Sequence, residues 1–257
     1  MLTALCRRTL TGSRLEALPP ALRTRRELAA LRYAVALAEG DAGAPGRSSY
    51  LGTLAANVAR LERLEAFFAA AHAAGLHLMP IKGALLVRTH YGDPGARPMV
   101  DVDVVCAPDE LERAIDVGRA LGLARMDPEA FRSARAATHD VKLTGDGIIL
   151  ELHHRLWHEL RIERDVAPLF ARARPIAYGA TTAWAPDDAD HLYVVCVHAA
   201  THGFLGNALW LTDAALLVAG AAAPLWPRVQ VLADAGHARV ALAAARDQLR
   251  LAMPWLD

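Results

Sequence analysis

Apolar residues in the early part of the chain recur at three- and four-residue spacing, the rhythm of a helix face. Leu15 to Glu39 reads as helix on that basis, a Gly/Pro/Ser break follows over Gly40 to Ser49, and Tyr50 to Ala74 reads as one long amphipathic helix. Leu54, Val58, Leu61, Leu64, Phe67 and Phe68 fall on one side of it, the predicted core face. From Leu76 to His154 short apolar runs alternate with helical segments, which marks a mixed α/β section. Strands are predicted over 77–81, 99–105, 137–144 and 147–153, with helices over 83–91 and 109–121.

Thr144-Gly145-Asp146-Gly147 is a tight hairpin signal, because Gly and Asp supply the positive φ such turns need. With Gly145-Asp146 as the turn, Asp140 pairs with Glu151 and Lys142 with Ile149; a one-residue slip would reverse the faces, so the register stays open. Beyond His154 an extended piece near 175–183 precedes helical patterns over 187–203, 207–220 and 227–253. The expected organisation is a helical N-terminal segment (1–75), an α/β core (76–155) and a mainly helical C-terminal region (156–257), an α+β chain.

Composition narrows the partners. Of 257 residues, 54% are apolar, ample for a sizeable core. Lys plus Arg equals Asp plus Glu at 28 each, so the whole molecule offers no electrostatic footprint for nucleic acid or an anionic membrane. Cys6, Cys106 and Cys196 stand far apart without a CxxC pair, which fits neither a disulfide framework nor a zinc ribbon and suggests a reducing, cytoplasmic setting. The longest apolar run, around Leu209 to Ala223, is interrupted by Asp213 and falls short of the roughly 20 residues of a membrane span. Met1 to Leu18 carries arginines but no continuous apolar stretch, unlike a secretory signal.

The candidate chemistry starts at Arg97-Pro98-Met99-Val100-Asp101-Val102-Asp103-Val104-Val105. Side chains two apart on a strand share a face, so Asp101 and Asp103 are expected to project together while Val100, Val102 and Val104 enter the core. Two like charges side by side are costly unless a cation lies between them, and Mg²⁺ suits carboxylate oxygens and substrate phosphates. The alternative is an edge strand whose acids face water. Glu151, in Ile148-Ile149-Leu150-Glu151-Leu152-His153, again punctuates a buried strand and would complete a site for two Mg²⁺ ions, Mn²⁺ being the other candidate. An ion pair with a nearby Arg or Lys is its competing explanation. Lys82-Gly83 ends a strand where a helix begins, a place where amides and an ammonium can meet phosphate, although an ordinary turn looks the same.

Arg97 stands before the acid strand, where its planar donors could reach phosphate or pair with one of the acids. His139 and His153, on the arms of the hairpin, are candidates for a proton shuttle or a phosphate contact, or simply satisfy local hydrogen bonds. His198 and His202 have the spacing of a helical zinc pair but lack the Glu of HExxH, which favours a structural or substrate-contact role.

Taken in order, Ile81-Lys82-Gly83, the stretch Tyr91-Gly92-Asp93-Pro94-Gly95-Ala96-Arg97-Pro98 through Asp101-Val102-Asp103, and Glu151-Leu152-His153 resemble the uncharacterised nucleotidyltransferase family. The resemblance covers about residues 76–220, including the stretch from His191 through His198 and Trp210 to Asp213. It implies a fold like that of the DNA polymerase β-like nucleotidyltransferases, with a small mixed sheet flanked by helices. It further implies metal ligation by Asp101, Asp103 and Glu151, with Lys82 and Gly83 near the phosphates. Two departures stand out. The common signature opens its helix with Gly-Ser where this chain has Lys82-Gly83, and His154 occupies the position of an expected Trp, with Trp157 three residues later.

The function this implies is metal-dependent transfer of a nucleoside monophosphate from a nucleoside triphosphate such as ATP to a hydroxyl-type acceptor, small molecule, peptide or protein, with pyrophosphate leaving. Two alternatives remain. A sugar-nucleotide glycosyltransferase would also use Asp-x-Asp but not Glu151, and an inactive accessory protein could keep the same fold.

Overall fold

The structure is a computed structural model describing residues 1–126, 138–158, 161–163, 165–204 and 208–256. In chain order the elements are α1 (Ala4–Thr9), α2 (Gly12–Glu16), α3 (Pro20–Arg23), α4 (Ala29–Ala38), α5 (Arg47–Ala73), β1 (Met79–Pro80) and α6 (Lys82–Leu86). A π-helical turn, Val87–Tyr91, leads towards β2 (Val102–Val105), α7 (Leu111–Ala120), β3 (Ala124–Arg125), β4 (Asp140–Gly145) and β5 (Ile148–His153). The chain continues through α8 (Ala167–Arg172), β6 (Arg174–Tyr178), β7 (Thr181–Ala185), α9 (Asp188–Thr201), α10 (Leu209–Gly220), α11 (Trp226–Ala235) and α12 (Arg239–Ala252). The chain divides into two units, one of Met1–Asn57, Leu86–Pro98 and Asp188–Asp257, the other of Val58–Leu85 and Met99–Asp187.

The second unit is built on a five-stranded mixed sheet in the order β1-β2-β5-β4-β3, with β2 and β5 parallel and the other pairs antiparallel. Val102, Val104, Leu150 and Leu152 are fully buried, and Leu61, Leu64, Phe67 and Phe68 of α5 are buried as their spacing predicts. A hairpin of β6 and β7 adds to this unit: the Trp184 amide donates to the Leu78 carbonyl at 3.0 Å and the Tyr178 hydroxyl to that of Ala84 at 2.7 Å. In the first unit α10, α11 and α12 pack against α9, and α1 lies on α10. Among the described residues no helix is long and apolar enough to cross a membrane.

Several sequence expectations change in physically simple ways. The predicted helix over Leu15 to Glu39 is broken into short pieces, because Pro19-Pro20 removes two amides and keeps the preceding residue extended. The predicted stretch over 227–253 is two helices, parted where His237 takes φ 57°. The extended piece near 175–183 is a full hairpin, turned by Gly179 at φ 63°. The acid strand starts at Val102 and not at Met99, so Val100 is 74% exposed instead of buried. On α5, Val58 is exposed and the inward position beside it belongs to Asn57, fully buried. The predicted strand from 137 begins at Asp140; residue 137 lies outside the described residues, as does Asn207 at the start of another predicted helix.

The hairpin register also differs. Its turn is Asp146-Gly147, both at positive φ (47° and 79°), so Gly145 pairs with Ile148, Lys142 with Glu151 and Asp140 with His153. Moving the turn by one residue shifts each partner by two, which preserves the faces but gives every residue a new neighbour.

Candidate active site

Parallel pairing sets Asp103 of β2 directly beside Glu151 of β5 on one face of the sheet, and antiparallel pairing sets Lys142 of β4 beside Glu151 in turn. A row of acid, acid and base therefore crosses three adjacent strands. Asp103 is 6% exposed and Glu151 9%, so both carboxylates need internal partners. Asp103 has two: its Oδ1 accepts from Lys82 Nζ at 2.7 Å and lies 2.9 Å from His153 Nε2. Glu151 is bonded to the Lys142 ammonium, and its other oxygen lies 3.7 Å from His153 Nε2.

Lys82 reaches this row because of its backbone. The Ile81 amide donates to the Asp103 carbonyl at 3.1 Å, which continues the β1–β2 pairing to the last residue before the turn. Lys82 then adopts φ 48°, a left-handed conformation unusual for a long side chain, and reverses the chain into α6 with Gly83 as its second residue. The lysine-glycine turn and the acid strand are thus hydrogen-bonded neighbours.

The electrostatics separate the two acids. Burial alone would push Asp103 up, but the Lys82 ammonium and the hydrogen bond from His153 outweigh it and hold the carboxyl well below the usual carboxylate range. Burial raises Glu151 too; the Lys142 hydrogen bond opposes this, while the charges of Asp103 and Asp101 add to it, and the net shift is upward. Asp103 is therefore held as the anion of the pair, while Glu151 is shifted towards its neutral form. Ligand atoms of Asp103, Glu151 and His153 all lie within 4.8 Å of one another, compatible with one shared ion. The carboxylates of Asp103 and Glu151 are the oxygen donors that could hold a divalent cation here, while the ammonium groups of Lys82 and Lys142 already pair with them, so the ion pair expected as the alternative for Glu151 is present. Asp101 sits on the bend before β2, half-buried; it acts on Glu151 through its charge but lies outside that close group.

Arg97 points elsewhere. Its Nε and Nη2 donate to the two oxygens of Asp213 at 2.8 and 2.6 Å, a buried bidentate pair that involves neither acid of the strand. The Tyr91 hydroxyl also donates to Asp213 Oδ1, at 2.9 Å, and lies 2.7 Å from Thr212 Oγ1. The segment Tyr91 to Pro98 is also held by Asn57 and by a bond within itself. Asn57 Nδ2 donates to the carbonyls of Pro94 and Arg97, both at 2.7 Å, and Asp93 Oδ1 accepts the Gly95 amide at 2.9 Å. A Cβ on Gly95 would come within 2.3 Å of the Tyr50 ring, so glycine is required by close approach.

His139 precedes β4, its ring centroid 5.3 Å from that of His153 and 3.9 Å from that of His158. Burial, with neighbouring imidazoles and Lys82, pushes it down to about 3. His198 and His202 stack on each other, centroids 4.2 Å apart. Sequence reasoning did not give Lys142, Asp140, Asn57 or the Tyr91–Asp213 contact a role. Lys142 alternates in phase with Asp140 along β4, a signal for a shared face, but its partner depends on a register that only the turn decides.

The small mixed sheet carries acids on adjacent strands, and a likeness to a solved nucleotidyltransferase shows the same class of fold. The solved structure of the antibiotic-resistance factor ANT(2'')-Ia in solution superposes with a TM-score of 0.52 at 14% identity, over 75% of this chain and 98% of that one. A crystal structure of ANT(2'')-Ia in complex with adenylyl-2''-tobramycin gives 0.46 at 13% identity, over 74% and 98%. An antigenic nucleotidyltransferase-like protein from Paracoccidioides brasiliensis gives 0.38 at 13%, over 74% and 93%. No curated protein sequence matches the chain. The chain belongs to the uncharacterised nucleotidyltransferase family, whose pattern matches residues 46–254. The activity that goes with that membership is nucleotidyl transfer.

Proposed function

We propose that the protein transfers a nucleoside monophosphate from a nucleoside triphosphate to a hydroxyl-type acceptor, releasing pyrophosphate, in a Mg²⁺-dependent reaction. The observation that carries this reading is the pairing of Asp103 with Glu151 across parallel strands, with Lys82 hydrogen-bonded to the first. Asp103, Glu151 and, from the bend that opens β2, Asp101 would hold the divalent ion. Such an ion supplies charge neutralisation for the triphosphate and the departing pyrophosphate and makes an acceptor hydroxyl easier to deprotonate.

The remaining work falls to the protein's own groups. Lys82 keeps Asp103 ionised and offers its ammonium to phosphate oxygens beside the Gly83 backbone, a contact whose strength grows as water is excluded. His153 fixes the Asp103 carboxylate by its Nε2 contact, and His139 packs against the His153 ring. Lys142, hydrogen-bonded to Glu151, opposes the upward push of burial on that carboxyl. Arg97 serves here as a strut that ties the segment before Asp101 to Asp213, and not as a phosphate ligand.

Calorimetric titration of the four common ribonucleoside triphosphates with Mg²⁺ tests this directly. At least one should bind the wild-type protein, and binding and turnover should disappear in Asp103→Asn and in Glu151→Gln. Full activity in either variant would overturn the assignment, and unimpaired Glu151→Gln alone would favour the glycosyltransferase chemistry.

A further inference from the structure

We propose that His139, Asp140 and His158 form a second metal site, selective for a transition-metal ion of the zinc class and separate from the carboxylate pair. The hairpin creates it. Because Asp140 pairs with His153, the start of β4 lies beside the chain leaving β5, and the amides of His154 and Arg155 both donate to the His139 carbonyl, at 3.0 and 3.1 Å. That closure brings His158, far from His139 in sequence, against it, with ring centroids 3.9 Å apart at an interplanar angle of 64°.

The three ligand atoms lie within 4.8 Å of one another. His139 Nδ1 is 3.3 Å from Asp140 Oδ1, and donors each about 2.0–2.1 Å from a tetrahedral ion lie about 3.3–3.4 Å apart. Yet that nitrogen makes no hydrogen bond, although it is buried. A buried imidazole nitrogen facing a carboxylate oxygen at ligand spacing, without a proton shared between them, is what a metal site presents before the ion arrives.

Donor chemistry separates this cluster from its neighbour. Two imidazoles and one carboxylate suit Zn²⁺ or its transition-metal relatives, whereas the neighbouring pair offers Mg²⁺ two carboxylates, with His153 already engaged by Asp103. Three protein ligands leave a position open, and His158 is exposed, which gives the ion a path from solvent. The ion would clip the start of β4 to the segment after β5.

The test uses the full chain stripped with a chelator and titrated with Co²⁺, read by its visible d–d absorption and by displacement with Zn²⁺. One equivalent should bind, with bands typical of an imidazole-containing, low-coordinate site. His158→Ala, at an exposed position, and Asp140→Asn should each weaken binding at least about tenfold, as loss of even supporting contacts does at metal sites. Asp103→Asn should leave the bands intact, which keeps this proposal distinct from the Mg²⁺ reading. Absence of Co²⁺ bands in folded wild-type protein would overturn it. So would bands that survive both His158→Ala and Asp140→Asn, or bands that Asp103→Asn removes.

Discussion

Arg97 and Asp213 are joined by two hydrogen bonds, Nε to Oδ1 at 2.8 Å and Nη2 to Oδ2 at 2.6 Å, with both side chains nearly out of solvent. Removing one member leaves the other as a buried, uncompensated charge. Arg97→Ala or Asp213→Ala should therefore each cost about 3–5 kcal/mol in urea unfolding. Replacing both with apolar residues, Arg97→Met with Asp213→Leu, should cost clearly less than the sum of the single variants, because neither charge is then stranded.

Lys82 combines a charge with a strained backbone, and the two can be separated. Lys82→Met and Lys82→Gly both remove the ammonium beside Asp103, but only glycine suits φ 48°. Turnover should fall alike in both, by about 10²-fold, the usual scale for losing one preorganised electrostatic contact. Substantially retained activity in Lys82→Gly would show that the turn matters and the charge does not.

The Asp146-Gly147 turn fixes the register that pairs Lys142 with Glu151. Gly147 has φ 79°, so Gly147→Ala forces a left-handed L-residue and should destabilise by about 1–2 kcal/mol, measured by thermal or urea unfolding. Asp146→Gly, also at a positive φ, should be close to neutral, since its ion pair with Arg63 is exposed.

Cys6, Cys106 and Cys196 are free and buried, and burial is the main cause that raises each thiol from 9.0 to about 12. The fold retains protons that the unfolded chain releases. Their contribution is thus constant below pH 9 and turns against the fold as pH rises from 9 towards 12. All three should resist iodoacetamide at pH 8 until the protein is unfolded, and Cys196→Ala should flatten the alkaline fall in melting temperature. Rapid alkylation of the native protein would contradict the burial of the thiols.

The sequence by itself determined the local things: the helical face Leu61, Leu64, Phe67, Phe68, the alternation in β5, the hairpin signal around Asp146, and the acids Asp103 and Glu151 as charges inside apolar strands. These are legible because secondary-structure periodicity and the cost of burying a charge act on neighbouring residues. Tertiary structure alone decided the partners. Whether Glu151 meets Lys142 or Asp140 follows from one turn residue, and whether Arg97 serves phosphate or Asp213 depends on a helix more than a hundred residues away in the chain. The same is true of His158, which reaches His139 only after β4 and β5 have paired. Pattern constrains which side of an element is buried, but hydrogen-bond register and long-range packing choose the atom that waits on the other side.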